Sequence, residues 1–340
     1  MSETIQLTAK DFATDQEVRW CPGCGDYSIL KQVHTVLPQL GIPRENIVVV
    51  SGIGCSSRFP YYTNTFGMHS IHGRATAIAS GLKAARPDLS VWIVTGDGDG
   101  LSIGGNHMIH LLRRNFNVNV LLFNNEIYGL TKGQYSPTSP LGKVAKSTPM
   151  GSVDHPFNPA ALALGADATF VARSMDRDPA HLQEALIRAN AHKGTSFLEI
   201  YQNCNIFNDG AFEVFTEKAN KKTNDLFVRH GQPLVFGESD NWGIKLDGFT
   251  PIAVDLNAGY TKDDLWIHDE TDIYKAQMLA RIFDNPMIDG HLPRHFGVFY
   301  ATEKRATYED LLNEQLNAAL GKGEGDLDKL IRGSETWEIK

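Results

Sequence analysis

Cysteine is scarce in this chain: four occur in 340 residues, at Cys21, Cys24, Cys55 and Cys204. So sparse and widely spaced a set is unlike the framework of a disulfide-stapled secreted domain, and a reducing cytoplasm is the expected compartment. Long apolar runs are missing as well. No stretch of 18 apolar residues occurs, so no membrane span is expected. Met1-Ser2-Glu3-Thr4 has neither the basic nor the apolar region of a secretory signal. Positive charge is in deficit, and a net charge of −8 offers nucleic acid no general attraction. Internal repeats and low-complexity tracts are absent. What remains, 42% apolar and 21% charged, suits a globular protein with one large core or two modest ones.

Residues 1–205 alternate strand and helix signals. Ile47–Ser51, Val91–Thr95, Val118–Phe123 and Phe197–Tyr201 are short apolar runs rich in β-branched residues. Helical patterns fall at Tyr27–Leu40, Arg74–Ala85, Asn106–Arg114 and Pro179–His192. This alternation predicts an α/β fold with a mostly parallel sheet covered by helices on both faces. Ligands of such sheets bind beyond the carboxyl ends of the strands. The polar stretch Lys218–Asn224 marks a change of character, so residues 206–340 are expected to form a C-terminal extension over the main domain or a partner chain. An amphipathic helix is predicted at Tyr308–Leu320.

The few cysteines sit where backbone amides are free to face sulfur. Cys21 and Cys24 lie in Trp20-Cys21-Pro22-Gly23-Cys24-Gly25, Cys55 in Gly52-Ile53-Gly54-Cys55-Ser56, and Cys204 in Gln202-Asn203-Cys204-Asn205. Four thiolates are the ligand set of an iron–sulfur cube or of a structural zinc, and the thiols alone leave both open.

A second motif concerns a hard cation and phosphate. Thr95-Gly96-Asp97-Gly98-Asp99-Gly100 follows a strand and opens a helix. Its glycines let backbone N–H groups approach a phosphate, and Asp97 supplies an oxygen ligand suited to Mg²⁺. One helix and one strand later comes Asn124-Asn125-Glu126-Ile127-Tyr128-Gly129. The 28 positions from Asp97 to Asn125 return the chain to the neighbouring strand end. Either piece alone is a common turn. Their ordered combination resembles the motif of thiamine diphosphate (TPP) enzymes.

Taken in order, Cys-Pro-Gly-Cys-Gly, Gly-Ile-Gly-Cys-Ser, His-Gly-Arg-Ala, Gly-Asp-Gly-Asp and Asn-Asn-x-Ile-Tyr-Gly-Leu-Thr-Lys-Gly-Gln resemble the β subunit of 2-oxoacid:ferredoxin oxidoreductases. The 2-oxoglutarate-acting enzymes are the nearest in pattern, over residues 16 to 237. The resemblance implies a β subunit holding TPP–Mg²⁺ and one [4Fe–4S] cluster, completed by an α subunit as α₂β₂. The implied reaction converts a 2-oxoacid, coenzyme A and oxidised ferredoxin to an acyl-CoA, CO₂ and reduced ferredoxin. It assigns the four cysteines to the cluster, Asp97 and Asn125 to Mg²⁺ through their side chains, and Ile127 to Mg²⁺ through its carbonyl. Gly96, Gly98 and Asp99 are implied around the diphosphate, and Gly129, Leu130 and Thr131 over the cofactor. The loop Gly54, Cys55 and Ser56 is expected near the cofactor, with amides of Gly23, Gly25 and Gly54 bonding the sulfurs.

Three further residues are expected to act on substrate or cofactor. His72 and Arg74 open a helix after an aromatic-rich loop. Lys132 stands where pyruvate-acting members tend to have Gly, and its cation suits the distal carboxylate of 2-oxoglutarate. The glutamate that activates TPP is implied on the α subunit, so the chain alone is expected to bind TPP–Mg²⁺ loosely and turn over nothing. The alternatives are the same chemistry on pyruvate or another 2-oxoacid, a non-oxidative TPP decarboxylase or carboligase, and a zinc-stabilised binding module without catalysis. The last two fit the charge, the length or the joint motifs less well.

Overall fold

Short β-branched runs become the centre of an eight-stranded sheet in the computed structural model, which describes residues 7–282 and 292–339. The strands in chain order are β1 Ile47–Ser51, β2 Phe66–His69, β3 Ser90–Gly96, β4 Asn119–Asn124, β5 Phe170–Met175, β6 Ser196–Tyr201 and β7 Asp225–Val228. The remaining four are β8 Val235–Phe236, β9 Trp242–Asp247, β10 Thr250–Asp255 and β11 Arg294–Ala301. The main sheet runs β2-β1-β3-β4-β6-β5-β11-β7. Every pair in it is parallel except β11 against β5. A small antiparallel sheet, β10-β9-β8, stands beside it.

The period of two along each strand divides the core into layers. Val48, Val50, Val91, Ile93, Val120 and Leu122 enter one cluster, with the helices Ala75–Ala85, Gly105–Arg114 and Pro159–Gly165. Val49, Trp92, Val94, Leu121 and Phe123 enter the other, under the helices Asp26–Val36 and Pro179–Ala191. Both faces are therefore covered, as continuous apolar strands require.

All four expected strands form, with shifts of one residue at their ends. The expected helix 27–40 stops at Val36, and Leu37–Leu40 continues as a 3₁₀ turn containing Pro38, which has no N–H to give the helical ladder. Two strands escaped the sequence reading. β5 reads Phe-Val-Ala-Arg-Ser-Met, and its buried Arg173 breaks the apolar run. β2 is largely exposed. The segment after residue 205 also does more than wrap the main domain: β11 pairs with β5 and β7 with β11, so it extends the sheet itself. The expected helix at Tyr308–Leu320 forms, and Tyr308 packs on Phe116 with ring centroids 4.6 Å apart. The tetrapeptide behind the signal-sequence expectation lies outside the described residues. No described helix is long and apolar enough to cross a membrane.

Candidate active site

β1, β3, β4 and β6 all point their carboxyl ends the same way, so the loops that follow them meet. They enclose a cleft of about 230 Å³. Gly54, Cys55 and Ser56 line it from the loop after β1, and Gly96, Asp97, Gly98 and Asp99 from the turn after β3. Asn125, Ile127, Gly129, Leu130 and Thr131 line it from the segment after β4, with His72 at its edge. The structure thus brings all thirteen cofactor residues expected from sequence to one cleft.

Asp97 is the best-prepared group in it. The side chain is buried, and Oδ2 accepts hydrogen bonds from Ser136 Oγ at 2.5 Å and Thr138 Oγ1 at 2.6 Å. Burial pushes its carboxyl upward from the usual range, while both hydroxyls and the amides of Gly98 and Asn125 pull it back. Among the described residues no Lys or Arg forms an ion pair with it. A buried carboxylate held by neutral donors and facing no side-chain cation fits a hard divalent ion such as Mg²⁺. Asn125 is held equally firmly: Nδ2 donates to Gln202 Oε1 at 2.7 Å and Oδ1 accepts from Ile127 N at 3.2 Å. The Gly98 position has no room for a side chain, because a Cβ there would meet the Tyr128 ring at 2.2 Å.

Behind Asp97 the polar chain continues inward. Thr138 Oγ1 also lies 2.9 Å from Asn124 Oδ1, and Asn124 Nδ2 donates to Glu199 Oε1 at 2.8 Å. Glu199 pairs with Arg173 at 2.7 Å, both side chains buried, and Arg173 Nη1 donates to His295 O on β11. The Asp97 carboxylate is therefore braced through β4, β6 and β5 to the C-terminal segment.

Asp99 lines the cleft, and its carboxylate is spent on neighbouring groups. Oδ1 accepts from Gly73 N at 2.8 Å and lies 3.5 Å from His72 Nδ1, and Oδ2 accepts from Thr95 Oγ1. Gly73, at φ 65°, packs so closely that a Cβ would lie 2.5 Å from Gly104 N. Asp99 thus fixes the turn that presents His72, whose side chain is exposed at the cleft edge. Arg74 is not among the lining residues; its Nη1 turns back to His72 O at 3.4 Å. Lys132 also lies outside the lining, exposed and in the left-handed region at φ 75°. That backbone conformation gives glycine an advantage at this position unrelated to charge.

The cysteine segments are stapled together through backbone carbonyls, which accept from one amide and two side chains. Trp20 Nε1 donates to Cys55 O at 2.7 Å, Gly25 N to Asn203 O at 3.1 Å, and Asn205 Nδ2 to Pro22 O at 2.5 Å. Gly129 sits against two of the thiols: a Cβ there would lie 3.5 Å from Cys204 Sγ and 3.7 Å from Cys55 Sγ. The cleft and the thiols therefore share a wall. Burial, then the carboxylate of Asp26, pushes the thiol of Cys55 up to about 12, with Cys204 and Cys21 adding to the effect. Cys24 moves in the same direction for the same leading reasons. Among the described residues no three His, Cys, Asp or Glu side chains form a ready-made cage for a single ion. The soft donor set suits a thiolate-ligated cluster, whose several metal atoms need no common centre for all four sulfurs. One expectation is corrected: the Gly25 amide is committed to Asn203 O and is not free for a sulfur. Cys24 Sγ instead has Gln202 Nε2 at 3.2 Å, with the Asp26 amide also directed to it.

Sequence reasoning placed Asn124 at a strand end beside the site but passed over Ser136, Thr138, Glu199 and Gln202. The first two lie in a polar loop without regular structure, where nothing marks a residue that reaches a carboxylate 39 or 41 positions upstream. Gln202, two places before Cys204, had a positional cue in the sequence.

Comparison with known proteins follows the same lines. Residues 52–200 match the family of the thiamine pyrophosphate enzyme C-terminal TPP-binding domain. The 2-oxoglutarate oxidoreductase subunit KorB of Mycobacterium tuberculosis is 54% identical over 97% of this chain and 88% of its own length. The 2-oxoacid:ferredoxin oxidoreductase subunit beta of Saccharolobus solfataricus is 43% identical over 87% of this chain and 96% of its own. Among solved structures, the 2-oxoglutarate:ferredoxin oxidoreductase from Magnetococcus marinus, with 2-oxoglutarate, coenzyme A and succinyl-CoA bound, superposes with a TM-score of 0.76. It is 31% identical and the match covers 98% of both chains. At this identity over nearly its whole length, the chain belongs to the family of 2-oxoacid:ferredoxin oxidoreductase β subunits.

Proposed function

We propose that this chain is the β subunit of a 2-oxoglutarate:ferredoxin oxidoreductase. With a separate α subunit, as α₂β₂ in the cytoplasm, it converts 2-oxoglutarate, coenzyme A and oxidised ferredoxin to succinyl-CoA, CO₂ and reduced ferredoxin. One observation carries the reading: Gly129 lies in the wall of the Asp97–Asn125 cleft and also against Cys55 and Cys204. A site suited to TPP–Mg²⁺ and a site suited to an electron carrier thus adjoin. The most similar named relatives support the choice of 2-oxoglutarate.

TPP, when bound, supplies the electron sink that lets a 2-oxoacid lose CO₂. The residues of this chain bind and orient it. Asp97, Asn125 and the carbonyl of Ile127 hold Mg²⁺, which neutralises the diphosphate, and Gly96 and Gly98 let the backbone approach it. Gly129, Leu130 and Thr131 close the cleft over the cofactor. Cys21, Cys24, Cys55 and Cys204 would hold one [4Fe–4S] cluster, which would supply single-electron chemistry beside the cofactor cleft. Residues 1–205 carry both cofactors, and residues 206–340 brace the sheet and reach toward the partner.

Anaerobic co-purification with the α subunit, followed by a panel of 2-oxoacids with and without CoA, tests the reading. The expected result is CoA-dependent viologen reduction with 2-oxoglutarate preferred. Equal or better turnover of pyruvate assigns the substrate otherwise, and full turnover by this chain without a partner overturns the division of labour.

A further inference from the structure

Gln202 stands between the two halves of the site. It is the first residue after β6, where Tyr201 pairs with Asn124 across the sheet, and its backbone N–H donates to Asn124 O at 2.9 Å. That register carries its side chain to Asn125 on one flank and to the cysteine turn on the other. The residue is only 1% exposed. Its Oε1 accepts from Asn125 Nδ2 at 2.7 Å. Its Nε2 donates to Asn203 O at 2.7 Å and to Cys24 Sγ at 3.2 Å. The amide oxygen and both amide hydrogens are thus engaged, with groups from three separate segments.

The direction of this amide is dictated by its surroundings. Asn203 O can only accept, and it already takes Gly25 N at 3.1 Å. An Oε1 turned toward it would set two acceptors face to face in a buried place, so Nε2 lies on the cysteine side and Oε1 on the Asn125 side. An oxygen there admits only the N–H end of the Asn125 amide. Asn125 Oδ1 is left on the side of Ile127 N, at 3.2 Å. A backbone carbonyl beside the cysteines thereby selects which atom of Asn125 is kept for a cation.

We infer that Gln202 is a positioning residue shared by both cofactor sites: its oxygen holds Asn125 in the orientation that presents Oδ1 as a metal ligand, and its nitrogen donates to the Cys24 sulfur that would hold the cluster. The inference rests on the reading of the cleft as the TPP–Mg²⁺ site and of the thiols as the cluster site. An N–H donor offsets negative charge on a ligating sulfur and so raises the potential of a cluster held by it. One side chain therefore serves the binding of the first cofactor and the electron affinity of the second.

The test uses the complete complex with the α subunit and the variants Gln202→Glu and Gln202→Leu. Glutamate keeps an oxygen for Asn125 Nδ2 and takes the amide donor from sulfur, whereas leucine removes both. Calorimetry reads TPP–Mg²⁺ affinity, and a redox titration followed by electron paramagnetic resonance reads the cluster potential; neither needs turnover. The expected result is a split. The potential falls in both variants, but TPP–Mg²⁺ binding weakens, about tenfold or more, only in Gln202→Leu, with iron content at the parent level throughout. A potential equal to the parent's in both variants overturns the inference, as does a TPP–Mg²⁺ affinity within about twofold of the parent in Gln202→Leu. Loss of iron from both variants overturns it too, because that makes Gln202 a prop of the cysteine turn rather than a donor to its sulfur. A parent complex that takes up no iron or no TPP–Mg²⁺ overturns the inference and the proposed function together. The expected split in a complex that oxidises no 2-oxoacid sinks the proposed function alone and leaves Gln202 in its role.

Discussion

The two halves of the site are built on opposite principles. At the Asp97 end, polar atoms are already satisfied: two hydroxyls on Oδ2, and a glutamine and a backbone amide on Asn125. At the cysteine end the segments are stapled, yet among the described residues the only side-chain donor to a thiol is Gln202 Nε2 on Cys24, beside the Asp26 amide. Burial holds Cys24 and Cys55 toward the neutral thiol. On the proposed reading a hard ion would arrive at a carboxylate in place, whereas metal would have to displace protons from the thiols, and that site would be completed by its own occupant. The Asp97 end is therefore pre-organised by the fold, and the cysteine end is fixed in backbone and, as proposed, would be finished by assembly of its cluster.

The largest effect separates the two ends outright. Cys55→Ala should abolish iron–sulfide incorporation and reduce 2-oxoacid-dependent dye reduction to background, while TPP–Mg²⁺ affinity in the complex stays within about twofold. Iron assay and equilibrium binding on one preparation check this, and loss of both cofactors together breaks the distinction. The mirror experiment is Asp97→Asn. Because even outer partners of a metal ligand are worth about 10–100-fold, replacing the carboxylate should weaken TPP–Mg²⁺ by about 100-fold or more and leave the visible absorption of the cluster intact.

Next comes Gly98→Ala, whose methyl group meets the Tyr128 ring. Overpacking of this kind costs about 1–3 kcal/mol, so TPP affinity and melting temperature should both fall while iron content holds. The smallest effect is expected at Lys132, which lies outside the lining and is exposed. Lys132→Asn tolerates the left-handed backbone and removes only the cation. If the cation meets the distal carboxylate, the ratio of kcat/KM for 2-oxoglutarate to that for pyruvate should drop about three- to tenfold. An unchanged ratio leaves Lys132 as a loop residue. Replacement by glycine is the poorer test, because it relieves backbone strain as well as removing charge.

The same contrast explains what was legible in the sequence. β1 and β3 could be read because their apolar runs stop at a serine–glycine or glycine–aspartate turn, and the ligand-bearing turns are those stops. Asp97 and Asn125 are separated by one helix and one strand, so local periodicity was enough to place them together. The cysteines declared themselves by rarity and context. The supports were hidden. Ser136 and Thr138 depend on the path of a long irregular loop, and the Arg173–Glu199 pair on β5 lying beside β6. An arginine inside a strand reads as a break until its buried partner is known. The contribution of β11 was equally invisible, since it depends on a strand 119 positions after β5 returning to its edge.

The account's central claim is that the two ends work as one electron-transferring unit. Anaerobic addition of 2-oxoglutarate to the complex, followed by electron paramagnetic resonance of the cluster, tests it most directly. The predicted result is a reduced-cluster signal in the parent complex and none in Asp97→Asn, although both carry full iron. A signal of equal size in Asp97→Asn, or none in a parent complex loaded with TPP, Mg²⁺ and iron, would contradict it.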